Sequence, residues 1–377
     1  MGNAMRRFVW AGVILTLVAC SDDTASGGSG GTGTGTASGA SGPGGGSSGG
    51  GDVGGAGGNP SGSGGTSAGG AGPGGAGPGG GPQGGAGGAS AAPDPNLDGP
   101  YATTNVSGTA MSSTGNNVPI TGFAPTMPGS YPVVIIGHGF QLPTTQYENY
   151  ASRVASFGYV VLLPDFPTAL FGFSHVEAAD DMISAIDWAA TDPSVSAIAD
   201  TDNVGMSGHS LGGKVALLAA TMDSRIKAVI ALDPVDGGMN CSPQDCPDVS
   251  ALMPSLMIPT GFLGETTDAA GGFQPCAPAA QNFATFYTGT NSPSFAVTVA
   301  GANHMSFLDN VATCGFTCNF CNMATAPNAE VNAMGQAYLA AFFERYLRDD
   351  SDYDIYLTGA MADQRYIANG KATLQSK

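Results

Sequence analysis

The sequence predicts an α/β fold with a mainly parallel central sheet. Strand-like and helix-like runs alternate along the last three quarters of the chain, as strand–helix–strand units require. Val133-Val134-Ile135-Ile136 is apolar without alternation, the pattern of a strand buried on both faces. A Gly-x-Ser-x-Gly segment stands between a strand-like run and a helix-like run.

The elements follow in order. Residues before Tyr131 read as antiparallel edge strands separated by Gly-rich turns. Tyr131 to Ile136 is the first long buried strand, and Thr144 to Phe157 reads as a helix. Tyr159 to Leu163 is the next strand, ended by Pro164-Asp165. From His175 to Ala190, Val176, Ala179, Ile183, Ile186 and Ala190 fall on one helical face. Asp202 to Met206 leads into the glycine-serine turn, and Lys214 to Ala220 is rich in helix formers. Ile226 to Leu232 and Leu256 to Leu263 are further strands, and Phe295 to Val299 is expected to be the last. Glu330 to Arg348 reads as a closing amphipathic helix.

Ahead of this region lie two segments of other character. Arg6 and Arg7 precede a short apolar run, Phe8 to Val18, that closes on Leu17-Val18-Ala19-Cys20. Residues 1–20 therefore read as a signal peptide. The closing residues resemble a bacterial lipobox, which implies cleavage before Cys20 and its lipidation; a plain secretory signal is the competing reading. Residues 21–97 are Gly, Ser, Ala, Thr and Pro with almost no large apolar residue, and hold more than half of the chain's 61 glycines. Such a composition cannot offset its ordering entropy, so a disordered tether is expected. About 70 residues of Gly-rich coil reach roughly 45 Å. Residues 98–377 remain for one substantial domain.

The net charge of −18 argues against a nucleic-acid partner, because no basic patch exists to neutralise phosphates. Besides Cys20 there are six cysteines: Cys241, Cys246, Cys276, Cys314, Cys318 and Cys321. An even number in an exported chain favours disulfides. At least one bridge is expected to tie the 314–321 cluster to Cys276 or to the Cys241–Cys246 segment, and a local Cys241–Cys246 pair is compatible with that. The run Cys314-x3-Cys318-x2-Cys321 also has metal-ligand character. No His stands at ligand spacing, however, and no metal is expected.

Within Gly208-His209-Ser210-Leu211-Gly212, Ser210 is the candidate nucleophile. The glycines clear space for a turn sharp enough to expose its Oγ at the start of a helix. A serine hydroxyl needs a base, and the base needs a carboxylate. Of the four histidines only His304 follows Ser210, just beyond a strand end, so it is the candidate base. His209 reads as a packed spacer and His175 as a surface or cap residue. The acid stays open. Asp233 ends a strand and is turned by Pro234, which favours it; Asp236, Glu265 and Asp268 are alternatives. Two backbone N–H groups are expected to bind an oxyanion, from Leu211 and from Phe140 after Gly137-His138-Gly139.

Gly137-His138-Gly139-Phe140, Gly208-His209-Ser210-Leu211-Gly212-Gly213-Lys214, Asp233-Pro234-Val235-Asp236-Gly237, Pro275-Cys276-Ala277-Pro278 and His304-Met305-Ser306-Phe307-Leu308-Asp309 resemble the chlorophyllases in order and spacing. The same α/β-hydrolase branch includes platelet-activating-factor acetylhydrolases and cutinase-like polyester hydrolases. Phe342 to Leu347 with Asp352-Tyr353-Asp354 resembles the ending of the polyester hydrolases. The resemblance covers about residues 131–356. It implies an α/β-hydrolase fold, ester hydrolysis by Ser210, the Asp-Pro-Val-Asp segment and His304, and no cofactor. The acetylhydrolase pattern supports Asp233 as the acid, and the polyester-hydrolase pattern supports Glu265 or Asp268. The Cys241–Cys246 insertion and the 314–321 cluster have no counterpart in chlorophyllase, and no segment reads as a porphyrin pocket.

The expectation is a serine carboxylic-ester hydrolase working through an acyl-enzyme. It would be a monomer acting on a small, lipid or polymer ester. It would sit in the cell envelope, touching the membrane through its lipid anchor alone, or be secreted. The alternative is a non-catalytic surface-binding module on the same scaffold.

Overall fold

The computed structural model describes residues 92–169, 172–238, 241–270 and 275–377. The expected signal peptide, Cys20 and nearly all of the expected tether lie outside the described residues. Residues 94–96, expected at the tether's end, are held by the domain. The Arg365 guanidinium donates to both Asp94 carboxylate oxygens at 2.8 and 2.6 Å, and the Tyr366 hydroxyl donates to Asn96 Oδ1.

Among the described residues the sheet has nine strands: β1 (Thr103–Met111), β2 (Asn117–Pro125), β3 (Tyr131–Gly137), β4 (Val160–Pro164), β5 (Ala199–His209), β6 (Ile226–Leu232), β7 (Thr260–Glu265), β8 (Ser294–Val299) and β9 (Ala372–Ser376). Their order is β1-β2-β4-β3-β5-β6-β7-β8-β9. Strands β3 to β8 are parallel; β1 and β2 run antiparallel at one edge and β9 at the other. Strand β9 was not expected. It is short and largely polar, with Ala372 buried, and pairs along only one side, so its sequence carries no apolar run. Strand β7 begins at Thr260 rather than Leu256, because Pro259 lacks an N–H for a ladder.

The main helices are α1 (Glu148–Ser156), α2 (His175–Thr191), α3 (Leu211–Met222), α4 (Phe283–Gly289) and α5 (Asn328–Leu347). The stretch expected as one helix from Thr144 opens instead as a 3-10 turn over Thr144–Tyr147. Pro143 precedes that turn in an extended conformation. Helices cover both sheet faces, and the strands alternate between two cores. Val133 and Ile135 join Met182 of α2 and Leu217 of α3, while Val134 and Ile136 join Val154 of α1 and Leu339 and Phe342 of α5. The period of two along a fully buried strand is what lets one apolar run serve both layers. Among the described residues, no helix is long and apolar enough to cross a membrane.

Because β3, β5, β6 and β7 are parallel neighbours, their carboxyl ends fall on one edge of the sheet. Gly137, His209, Leu232 and Glu265 close those strands, and the loops that follow them converge.

Candidate active site

Ser210 sits between β5 and α3 with φ 56° and ψ −120°, a conformation costly for any residue with a side chain. Close backbone approach holds it there. A Cβ on Gly212 would fall on the Gly137 carbonyl, and one on Gly208 would fall on the Gly212 backbone. The Ser210 N–H donates to the Leu232 carbonyl at 3.0 Å, which fixes the turn to β6.

His304 follows β8 and is buried. Its Nε2 lies 2.8 Å from Ser210 Oγ and its Nδ1 2.6 Å from Asp233 Oδ2. Asp233 is fully buried directly after β6, at φ 42°, and its N–H donates to the Leu263 carbonyl at 2.6 Å. Burial pushes the Asp233 carboxyl up from its ordinary range, and the hydrogen bond with His304 opposes that shift.

The other three acids do different work. Asp268 accepts the His304 N–H at 2.8 Å with one oxygen and the Asn322 N–H at 2.6 Å with the other, so it holds the backbone of the segment carrying His304. Glu265 accepts the N–H groups of Thr267 and Asp268 and shapes the turn after β7. Burial, and then the nearby Asp233 charge, raise its carboxyl to about 7. Asp236 pairs with buried Lys214 at 2.9 Å and accepts the N–H groups of Val249 and Ser250, anchoring the loop after β6. Only Asp233 reaches the imidazole among the described residues. The acid had four candidates because four carboxylates follow strand ends; which one faces the ring depends on contacts between distant loops.

Leu211 begins α3, and Phe140 follows Gly139 in the loop after β3. Both line a cleft of about 220 Å³ that has Ser210 in its wall. Phe173, His175 and the Cys241–Cys246 disulfide complete much of it. His175 is therefore not on the surface. It is 5% exposed at the start of α2, packed against Phe173, and burial lowers its pKa to about 3. Its helical position resembles a cap, but Ser174 caps α2 by accepting the Glu177 N–H, and the N–H of the next residue, Val176, donates to the Asp245 carbonyl in the Cys241–Cys246 loop. The sequence carries no signal for that contact.

Among the described residues, disulfides join Cys241 to Cys246, Cys276 to Cys321 and Cys314 to Cys318. The 314–321 cluster is thus tied to Cys276, and Cys241 and Cys246 pair locally. Asp268 lies beside the Cys276 and Cys321 sulfurs in a cluster of possible metal ligands. Those sulfurs are bonded to each other and the Asp268 oxygens each accept an N–H, so the group has no thiolate to offer.

Sheet order and the serine turn put this chain on the α/β-hydrolase scaffold. A family model described as Chlorophyllase matches residues 97–365, and the chain belongs to the chlorophyllase family. It is 32% identical over 214 residues to Chlorophyllase-1 of Arabidopsis thaliana, covering 52% of this chain and 65% of that relative. For Chlorophyllase-2 of the same plant the identity is 29%, covering 49% and 63%. A bis(hydroxyethyl) terephthalate hydrolase of Streptomyces coelicolor is 26% identical over 265 residues, covering 69% and 72%. The match therefore spans just under two thirds of the two plant relatives' length.

Proposed function

We propose that this chain is a serine carboxylic-ester hydrolase that works through an acyl-enzyme. The observation that carries the reading is the pair of hydrogen bonds on His304, at 2.8 Å to Ser210 Oγ and 2.6 Å to Asp233. That geometry suits an imidazole that takes the serine proton while the carboxylate fixes its tautomer and stabilises the imidazolium. Ser210 Oγ attacks the ester carbonyl. The Leu211 N–H, at the positive end of α3, and the Phe140 N–H stabilise the oxyanion. His304 then protonates the departing alcohol, and water activated by the same base releases the acid.

Membership of a family with chlorophyllases, and likeness to a terephthalate-ester hydrolase, support ester chemistry. The cleft is smaller than the roughly 300–1,000 Å³ of pockets that bury a drug-sized ligand. A cleft of that size suits one end of the ester, a short chain or a single aromatic ring. Three disulfides among the described residues favour an oxidising compartment, and support export with attachment of the domain through Cys20 and a Gly-rich tether.

The test is hydrolysis of p-nitrophenyl esters of two to twelve acyl carbons by the purified chain and by Ser210→Ala. Turnover that favours short chains and vanishes in Ser210→Ala is expected. Absence of turnover across the series, or full activity of Ser210→Ala, would overturn the reading.

A further inference from the structure

His209 precedes Ser210, and in a sharp strand-to-helix turn its side chain points away from the hydroxyl. It is fully buried, as is Tyr147 in the turn before α1. The two meet: Tyr147 Oη lies 2.9 Å from His209 Nδ1. Each then has a second partner. The Tyr147 hydroxyl accepts the Gly139 N–H at 3.1 Å, and His209 Nε2 lies 2.8 Å from the His304 carbonyl oxygen.

The donors can be arranged in one way. A carbonyl only accepts, so the proton of His209 must be on Nε2. Its Nδ1 is then an acceptor and takes the tyrosine proton, which leaves the tyrosine oxygen to accept from Gly139. The chain runs Gly139 N–H to Tyr147, Tyr147 to His209, and His209 to His304 without a frustrated link. It joins the loop that carries Phe140 to the backbone of the residue that carries the imidazole. We propose that Tyr147 and His209 are positioning residues of the ester-hydrolase site, holding the oxyanion-binding loop and the base His304 in register with each other.

Four further observations fit this role. His304 has its N–H held by Asp268 on one side and its carbonyl held by His209 on the other, so both backbone polar groups of the base are fixed by side chains. The His209 and His304 rings lie 4.7 Å apart, close enough that a shift of one displaces the other. Gly139 eases the approach, since a Cβ there would crowd Leu142 at 2.8 Å, His209 Nδ1 at 3.1 Å and Tyr147 Oη at 3.3 Å. Burial, reinforced by His304, keeps the His209 imidazole well below its ordinary pKa, and burial keeps the Tyr147 phenol well above its own. The chain of hydrogen bonds therefore holds one protonation state across the working range of pH.

The inference rests on the ester-hydrolase reading, and the experiment separates the two. Kinetics on p-nitrophenyl butyrate compare the full chain with Tyr147→Phe, His209→Leu, the double variant, and His209→Gln, which can restore a donor toward the His304 carbonyl. Misplacing a catalytic group by about 1 Å can cost about 10²-fold. Tyr147→Phe and His209→Leu should each lower kcat by about ten- to a hundredfold with KM within about twofold of wild type. The double variant should be no slower than His209→Leu, because both changes cut one chain, and His209→Gln should recover most of the loss. Tyr147→Phe removes a single oxygen and reads out even if His209→Leu does not fold. Wild-type kcat in Tyr147→Phe, with only a lowered Tm, would overturn the inference by making the pair a packing element. So would losses that multiply in the double variant. A wild-type chain with no turnover at all would instead strike the ester-hydrolase reading itself.

Discussion

Replacing Asp233 by Asn isolates the carboxylate from its shape. Asp233 is fully buried with Oδ2 2.6 Å from His304 Nδ1. An asparagine fits the same space, and burying a neutral amide costs less than burying a carboxylate, so folding should survive. The imidazole loses two things. The amide can turn its NH2 toward Nδ1, which forces the proton onto Nε2 and removes the lone pair that faces Ser210. The imidazolium formed on proton transfer also loses its counter-charge, worth about 4 kcal/mol for charges about 4 Å apart at an effective dielectric of 20. Together these predict a fall in kcat of about 10⁴-fold, or about 5.4 kcal/mol. The assay is kcat/KM on p-nitrophenyl butyrate with thermal melting as the control for folding. Asp268→Asn provides the contrast. Its amide can accept from only one of the His304 and Asn322 N–H groups, so stability falls by about 1–3 kcal/mol. The imidazole keeps its carboxylate, and kcat should fall by no more than about tenfold. Activity of Asp233→Asn within tenfold of wild type, or an equal loss in Asp268→Asn, would refute the reasoning.

Other expectations follow from the same geometry. Glu265 has a folded pKa of about 7 against 4.5 in the unfolded chain, so the unfolded state gives up its proton first as pH rises. Its contribution is present below pH 4.5 and lost by about pH 7, on the order of 2–3 kcal/mol. Chemical denaturation at pH 5 and pH 8 should show Glu265→Gln losing less stability over that interval than wild type; identical losses would contradict the assignment. Gly208→Ala sets a Cβ against the Gly212 backbone, so soluble yield or kcat should collapse, at a cost above about 4 kcal/mol in stability if it folds. A soluble variant with wild-type Tm and kcat would show that the turn is not so tight. The Cys276–Cys321 bridge spans 45 residues and is worth about 4 kcal/mol in the chain-entropy account. It also anchors Asn322, which donates to Asp268 and Thr267 beside His304. Cys276→Ser/Cys321→Ser should therefore lower Tm and also lower kcat at temperatures where circular dichroism is unchanged; a loss of Tm alone would separate the bridge from the base.

Much of the scaffold was legible because its strands are apolar enough to be buried on both faces. Val133 to Ile136 and Ile226 to Leu232 carry that signal, and the Gly-x-Ser-x-Gly turn ties β5 to α3 through backbone approaches that only glycine permits. Strand β9 was not legible, since an edge strand with one partner needs little apolar surface. The identity of the carboxylate facing His304 could only be ranked: Glu265 closes a strand, and Asp233 and Asp268 follow strands, that end at one sheet edge. His175 lines a cleft with Cys241 and Cys246, in a loop that the neighbouring Ser174 hydroxyl reaches across 71 residues. The hydrogen bonds of His209 came from Tyr147, 62 residues before it, and His304, 95 after it. No local pattern records a contact of that range.

Ester hydrolysis by this site requires a covalent acyl intermediate on Ser210, which can be trapped. The chain is mixed with a p-nitrophenyl ester, quenched in acid within milliseconds, digested, and its peptides weighed. One acyl group is expected on the peptide that contains Ser210, absent from Ser210→Ala and formed much more slowly in Asp233→Asn. Turnover with no acylated peptide, or with the acyl group on another residue, would contradict it.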